Sequence, residues 1–266
     1  MACISRTSFS YEPETRDDSE LIEKLKSISK KHPREGSRKA YMRIRRDGMV
    51  VNHKKVERIW QDNGLSVIVK RRQRRRGKGL ETPLRASYPN HVWAYDFMED
   101  SCCNGRKLRI LNVVDEFTRE CIETYIDYSI NSEKVIEILE FLFMIHGRPS
   151  FIRSDNGPEF IACKVQKWLK DAGTKTAYIE PGKPWQNGIN ESYNSRFRDE
   201  CLNMEMFYGL SDSRVVAEDY RLYYNKERFH GGLGYISPGE FKGNWLSQNG
   251  SLASGALPQT PPTKTS

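Results

Sequence analysis

The chain has 266 residues, a hydrophobic content of 37% and a formal net charge of +8. That length can bury a sizeable core in one large or two modest domains. No run of eighteen apolar residues occurs and Met1–Arg6 contains no apolar signal core, so the sequence predicts neither a membrane span nor secretion. The six cysteines lack a C-x-x-C spacing, which favours reduced, mostly buried thiols over a zinc site. We therefore expect a cytoplasmic protein.

The positive charge is concentrated near the N-terminus. Residues 1–90 carry 23 Lys and Arg against 11 Asp and Glu, whereas residues 91–266 carry 20 against 24. A basic first third predicts that this part binds a polyanion and that the mildly acidic remainder supplies another activity.

The first third is predicted to be helical. Apolar residues at helical spacing predict helices over Ser19–Lys31 and His53–Asn63, with a shorter one over residues 38–46 between them. The outer face of the third predicted helix carries three cations: Lys54, Lys55 and Arg58. Two short helices about a Gly-containing turn, the second one basic, favour a helix-turn-helix that binds DNA. A small helical bundle with solvated charges fits the same pattern.

A strongly basic segment follows these helices. Seven of the nine residues from Lys70 to Lys78 are cationic and none is acidic. Such a run repels itself unless phosphates neutralise it, which favours nucleic-acid contact over a solvated linker. Its arginines are Arg71, Arg72, Arg74, Arg75 and Arg76. We predict a DNA-binding domain over residues 1–69 and a basic linker over residues 70–89, where Gly and Pro mark the boundary.

From residue 90 the pattern changes to that of an α/β domain. Three apolar runs joined by short connections predict an antiparallel meander over residues 92–98, 108–115 and 121–126. The predicted elements that follow are a helix over 132–145, a strand over 150–154, a helix over 159–172, a strand over 174–179 and a helix after Trp185. That order predicts a mixed five-stranded α/β sheet over residues 90–243. Residues 244–266, rich in Ser, Gly, Pro and Thr, are predicted to be disordered.

Several motifs of this region occur in the order used by one known family. They are WAYDF at 93–97, VDEFTRE at 114–120, SDNGPEF at 154–160, GKPWQNG at 182–188, ESYN at 191–194 and RDECLN at 198–203. With them the chain resembles the integrase-core transposases of the insertion-sequence-three family of bacterial mobile elements, specifically the product of their second reading frame, over residues 5 to 243. The resemblance implies an RNase H-like fold.

The resemblance also implies a catalytic triad of Asp96, Asp155 and Glu191. Thirty-five residues separate the last two, the spacing expected of the D,D-35-E signature. Asp96 stands in an apolar run, where a carboxylate is costly unless it is paired or binds a cation. Read singly, Asp155 could cap a helix and Glu191 could be an ordinary surface residue, whereas Asp115 fits a strand end better than a metal site.

Carboxylates are suitable ligands for Mg²⁺. Two ions about 4 Å apart can activate the attacking oxygen of a phosphodiester cleavage and stabilise the leaving oxygen. The resemblance implies that Asp96 bridges two Mg²⁺ ions while Asp155 and Glu191 each hold one, and Mn²⁺ is an expected substitute.

Further residues near the triad are suited to contact DNA. Arg198 follows Glu191 by seven residues, two helical turns on and on the same face, where it could contact phosphate. A Gly- and Pro-containing loop before that helix carries three donors suited to the DNA backbone: Lys183, Gln186 and Asn187. The same loop could instead help to close the site without touching DNA.

These features predict a DNA transposase subunit that hydrolyses DNA at element ends and joins the 3′-hydroxyl to target or donor DNA. Expected partners are double-stranded DNA, in terminal repeats and target, and further copies of the chain on that DNA. The resemblance implies an upstream-frame protein, as a fusion or a partner. Since this sequence has no sustained heptad pattern, a leucine zipper would have to come from that protein. We expect a bacterial, nucleoid-associated protein. The alternatives are a catalytically silent DNA-binding regulator of transposition and a general RNase H-like nuclease.

Overall fold

The computed structural model describes residues 17–67, 84–154, 163–178 and 188–250. The chain divides into two compact units, Met1–Arg74 and Arg75–Ser266. No helix within the described ranges is long and apolar enough to cross a membrane.

The first unit contains three helices. They are α1 (Ser19–Lys31), α2 (Ser37–Arg46) and α3 (His53–Asp62). Asn52 precedes α3, and its side chain accepts a hydrogen bond from the backbone nitrogen of Lys54 at 2.9 Å, which satisfies one of the unpaired donors of the first turn. Leu25, Ile44 and Val56, one from each helix, are fully buried in a shared apolar core. The three predicted helices are confirmed to within one residue at their ends.

The second unit is built on a mixed sheet. Its strands are β1 (Val92–Ser101), β2 (Lys107–Asp115), β3 (Cys121–Asp127), β4 (Phe151–Ser154) and β5 (Lys175–Tyr178), in the spatial order β3-β2-β1-β4-β5. Strand β2 is antiparallel to both β1 and β3, whereas β4 is parallel to both β1 and β5. The predicted meander and the mixed five-stranded sheet are confirmed.

Helices cover both faces of this sheet. They are α4 (Ser132–His146), α5 (Cys163–Asp171), α6 (Gly188–Phe197), α7 (Leu210–Lys226) and α8 (Pro238–Asn249), with a π-helical turn at Arg198–Leu202 and a 3₁₀ turn at Gly231–Leu233. One apolar cluster joins α4 and α5 to the sheet, and another joins α6 and α7 to it. Residues 159–162 and 185–187 of the predicted helices lie outside the described residues.

The alternation along β1 decides which layer Asp96 faces. Trp93 and Tyr95 are buried in the cluster with α4 and α5, whereas Met98 packs against the cluster with α6 and α7. Because successive side chains of a strand point to opposite faces, Asp96 lies on the side of α6 and α7.

The C-terminal part of the described chain corrects one prediction. Disorder was expected from residue 244, but α8 continues to Asn249. Its Trp245 contacts Phe117 with ring centroids 5.9 Å apart, and Lys242 pairs with Glu120 at 2.7 Å. The prediction is wrong for residues 244–249 because composition conceals a single aromatic anchor in a polar segment. Residues 251–266 lie outside the described residues.

Candidate active site

Asp96 lies in the middle of β1 and is half-buried. Its Oδ1 accepts a hydrogen bond from the backbone nitrogen of Phe97 at 2.9 Å, and its Oδ2 accepts one from Asn194 Nδ2, also at 2.9 Å. The second bond joins the strand to helix α6. Asp96 is therefore held at the contact between sheet and helix, with its carboxylate oriented by an amide donor.

Glu191 lies in the first turn of α6 and is exposed. Asn194, which donates to Asp96, is three residues later on the same helix. Residues three apart are neighbours on a helix surface. The helix therefore brings to the middle of β1 a turn that carries the predicted Glu191 and also Asn194, the hydrogen-bond partner of Asp96.

The third predicted acid, Asp155, is outside the described residues. It directly follows β4, whose last residue, Ser154, is paired in parallel register with Tyr95 of β1. Strand β4 therefore ends beside Tyr95, the residue that precedes Asp96. Within the described parts of the second unit and of the first, no three His, Cys, Asp or Glu side chains come together to hold a metal.

Two other acids near the start of β1 have structural contacts. Asp115 accepts hydrogen bonds from the backbone nitrogens of Asn90, Phe117 and Thr118 at 2.6 to 2.9 Å. Burial raises the pKa of Asp115, and these donors oppose the shift. Asp115 thus closes the turn after β2, as its position at a strand end predicts.

Glu116 forms a buried ion pair. Both of its oxygens accept hydrogen bonds from Arg153 Nη1, at 2.6 and 2.8 Å, and Arg153 also donates to the Leu84 carbonyl at 2.7 Å. Burial raises the pKa of Glu116 to about 7, while the positive charge of Arg153 acts in the opposite direction. This pair ties the turn after β2 to β4, the strand that leads to Asp155.

Arg198 differs from its predicted setting. The regular helix ends at Phe197, and Arg198 begins a π-helical turn. Its guanidinium donates to the Glu99 carbonyl at 2.6 Å and lies 3.7 Å from a carboxylate oxygen of Asp100, with 41% of the side chain exposed. Arg198 therefore contacts the same strand as Asp96 from just beyond the end of α6, and its predicted contact with phosphate stays a prediction.

The cations predicted to face DNA in the first unit are not equivalent. Lys54 is exposed and 67% of the Arg58 side chain is exposed. Lys55 forms an ion pair with Asp18, and Arg58 lies 4.0 Å from the same carboxylate. Lys183, Gln186 and Asn187 lie outside the described residues, as do Arg71, Arg72, Arg74, Arg75 and Arg76.

Sequence reasoning missed three buried amide side chains between α6 and the sheet, one of which bonds Asp96. Asn112 and Asn190 are fully buried, and Asn194 is 8% exposed. Asn112 was hidden inside the predicted strand as one polar residue among apolar ones. The spacing of four between Asn190 and Asn194, flanking Glu191, is the signal that could have found the other two.

Known families match three stretches of the chain. One Integrase core domain family matches residues 86–184, a second matches residues 172–238, and the HTH-like domain family matches residues 16–73. A solved chain from the intasome of simian T-cell lymphotropic virus, in complex with PP2A regulatory subunit B56 gamma, is similar in fold, with a TM-score of 0.51. Its sequence identity is 18%, over 91% of this chain and 80% of that chain.

Bacterial insertion elements encode closer relatives. The insertion element IS476 uncharacterized 39.2 kDa protein of Xanthomonas euvesicatoria is 36% identical over 98% of this chain and 75% of its own length. The corresponding IS407 31.7 kDa protein of Burkholderia multivorans is 35% identical over 90% of this chain and 86% of its own length. The putative transposase InsK for insertion sequence element IS150 of Escherichia coli is 27% identical over 79% and 77%.

The fold and these matches define a polynucleotidyl transferase of the DDE type with an RNase H-like integrase core. More narrowly, the chain belongs to the transposases of the insertion-sequence-three family and has the organisation of their second reading frame. The family is metal-dependent. The predicted fold class and family are confirmed.

Proposed function

We propose that this transposase hydrolyses phosphodiester bonds at the ends of its own element and joins the freed 3′-hydroxyl to target or donor DNA. The observation that carries the proposal is the contact between β1 and α6. The half-buried carboxylate of Asp96 accepts a hydrogen bond from Asn194 on the helix that carries Glu191. An acid in such a setting is costly unless it serves as a ligand or is paired.

The residues present fit divalent metal. Asp96, Asp155 and Glu191 would hold Mg²⁺ through carboxylate oxygens, the ligand type that this ion prefers. When bound, two such ions would raise the nucleophilicity of the attacking oxygen and stabilise charge on the leaving oxygen. We propose Asp96 as the ligand shared by both ions and Mn²⁺ as a substitute for Mg²⁺.

Residues around the acids would position the DNA. Arg198 is held against the backbone of β1 and keeps 41% of its side chain exposed, so its guanidinium can contact a phosphate without leaving its anchor. Lys183, Gln186 and Asn187 are proposed to contact the backbone of the same DNA.

The first unit would bind DNA independently of the cleavage and joining reactions. Lys54 and Arg58 on α3 are the exposed candidates, whereas the charge of Lys55 is compensated by Asp18. The five arginines between residues 71 and 76 are proposed to add contacts to phosphates from the linker, with domain limits at residues 1–69 and 70–89.

Assembly on DNA is a further part of the proposal. Joining both element ends to one target brings two DNA ends together, so we propose a homo-oligomer on terminal repeats. An upstream-frame product, fused or separate, is the proposed source of a dimerising segment, and association with the bacterial nucleoid follows from DNA binding.

Strand cleavage on DNA from the flanks of this gene tests the proposal. We expect nicks at the element ends with Mg²⁺, none with Ca²⁺, and no preference for RNA–DNA hybrids. DNA binding without cleavage in Mg²⁺ would instead identify a silent regulator. Cleavage of hybrids in preference to terminal DNA would identify a general nuclease.

A further inference from the structure

A polar row crosses the sheet beneath helix α6. Asp96 of β1 is paired with Asn112 of β2, and Asn112 is paired with Thr124 of β3. Paired residues on neighbouring strands point to the same face. The three side chains therefore form one line on the side of α6, within a face that otherwise packs apolar residues.

Helix α6 meets this row with side chains of matching chemistry. Asn194 Nδ2 donates to Asp96 at 2.9 Å, and Asn194 Oδ1 accepts from Asn112 Nδ2 at 2.8 Å. The Tyr193 hydroxyl is 3.0 Å from the Thr124 hydroxyl. The helix that carries Glu191 is thus docked on the sheet through hydrogen bonds that end at Asp96.

The direction of these hydrogen bonds follows from Asp96. An ionised carboxylate only accepts hydrogen bonds, so the Asn194 amide must turn its nitrogen toward Asp96 and its oxygen toward Asn112. Asn112 must then donate. Two amides in series point their positive ends at the carboxylate, an arrangement in which each bond polarises the next.

This arrangement carries a stability cost. Asn112 and Asn190 are fully buried, and the Oδ1 atom of each accepts no hydrogen bond from the residues that the structure describes. An unsatisfied buried acceptor costs about 1–3 kcal/mol. Apolar side chains of similar size would join the surrounding cluster at lower cost, so packing alone does not account for asparagine at these positions.

We propose that Asn194, supported by Asn112, is a positioning residue for Asp96, which sets the orientation of the carboxylate toward divalent metal and fixes Glu191 relative to it. The inference rests on the proposed function, since it assigns a role toward the same metal ligands. Asn194 itself would touch neither the metal nor the DNA. Residues that orient metal ligands typically change metal affinity by about 10- to 100-fold when they are removed.

Mn²⁺ binding to the full chain without DNA, followed by electron paramagnetic resonance, tests this role apart from catalysis. We expect Asn194→Ala to weaken Mn²⁺ binding by about tenfold or more. Asn112→Ser should weaken it less, and the two changes combined should be less than additive because they interrupt one chain of bonds. Asn112→Ser also serves if Asn194→Ala proves unfolded by circular dichroism.

Asn225→Ala is the matched control. Asn225 is a buried asparagine that bonds the Cys121 backbone at 2.9 Å and 2.8 Å, joining α7 to β3 without contacting Asp96. We expect this variant to lose stability but to bind Mn²⁺ as the wild type does. Equal losses of affinity in the Asn194 and Asn225 variants would overturn the positioning role, as would wild-type affinity in Asn194→Ala.

Asp96→Asn separates this inference from the proposed function. If Asp96→Asn loses Mn²⁺ binding and Asn194→Ala does not, only the positioning role fails. Unchanged Mn²⁺ binding in Asp96→Asn would refute the metal site itself, and the positioning role with it.

Discussion

At the scale of single residues, a buried ion pair fixes the turn that follows α6. Arg228 donates to both oxygens of Glu200, at 2.5 and 2.6 Å, and the side chains are 6% and 7% exposed. The Tyr220 hydroxyl adds a third bond to Glu200 at 3.2 Å. Glu200 belongs to the π-helical turn that begins with Arg198, so this pair links that turn to the end of α7.

Removing one member of this pair should lower the free energy of unfolding far more than breaking an exposed ion pair does. We expect Arg228→Ala to lower the free energy of unfolding by about 3–5 kcal/mol, because Glu200 would keep a buried charge without its partner. Arg214→Ala breaks the exposed pair with Asp127 and should cost less than about 1 kcal/mol beyond its lost packing. Urea unfolding of the full chain measures both free-energy changes. Equal losses of unfolding free energy in the two variants would show that the buried pair contributes no more to stability than the exposed one.

At the scale of elements, α2 is attached to the preceding turn by a buried acid. Glu35 is 2% exposed, and its two oxygens accept hydrogen bonds from Arg43 at 2.7 and 3.0 Å, while Lys39 lies 3.5 Å away. Burial raises the pKa of Glu35, but the hydrogen bond from Arg43 and the nearby positive charges outweigh it and hold the pKa below 4.5.

This shift makes the helical unit sensitive to acid. Since the pKa of Glu35 is lower in the folded state, its contribution to stability is present above the unfolded value of 4.5 and is lost as pH falls through the folded value. Hydrogen exchange of α1 to α3 in the full chain, corrected for intrinsic rates, should show protection falling in that window. Glu35→Gln should reduce the loss, and an unchanged pH profile in that variant would contradict the assignment.

The helices and strands differ in how well the sequence alone predicts them. Strands β1 to β3 and helices α1 to α4 were predictable because apolar period, caps and turn residues agree within each segment. Helix α8 begins with a capping box of Ser237 and Glu240 that the sequence does show, but its continuation past residue 243 was not predictable, since the contact between Trp245 and Phe117 joins residues far apart in the chain. The π-helical turn at Arg198 was missed for a related reason: its Glu200 pairs with Arg228, 28 positions later, a contact that local pattern does not encode.

The residues of the candidate site also differ in how well the sequence alone predicts them. Asp96 and Glu191 stood out because an acid in an apolar strand and a fixed spacing are visible along the chain. The Asn112–Asn194 contact spans 82 positions and depends on which helix lies over which strand. No spacing in the sequence could supply it.

At the scale of the whole molecule, the basic charge and the acid site occupy different units. The first unit, Met1–Arg74, carries 19 Lys and Arg against 10 Asp and Glu, a net +9, whereas the second, Arg75–Ser266, carries 24 against 25, a net −1. This charge distribution predicts that DNA affinity depends mainly on the first unit and phosphodiester cleavage on the second. Mutations in one unit should therefore change DNA affinity or the cleavage rate, but not both.

Salt dependence of DNA binding tests that separation. We expect Lys54→Ala and Arg58→Ala each to weaken binding and to lower the slope of log affinity against log salt by about 1, because each would release one phosphate contact. Lys24→Ala, which removes an α1 cation already paired with Glu20 at 2.8 Å, should leave the slope unchanged. Equal slopes in all three variants would place the DNA contacts elsewhere.

The most direct test of the central claim is Mg²⁺-dependent cleavage of element-end DNA by matched variants of strand β1. Asp96→Asn should retain DNA binding and lose cleavage, as should Glu191→Gln on α6. Glu99→Gln, an exposed acid on the same strand whose side chain points to the other face, should cleave at the wild-type rate. Cleavage by Asp96→Asn at the wild-type rate, or an equal loss in Glu99→Gln, would contradict the account.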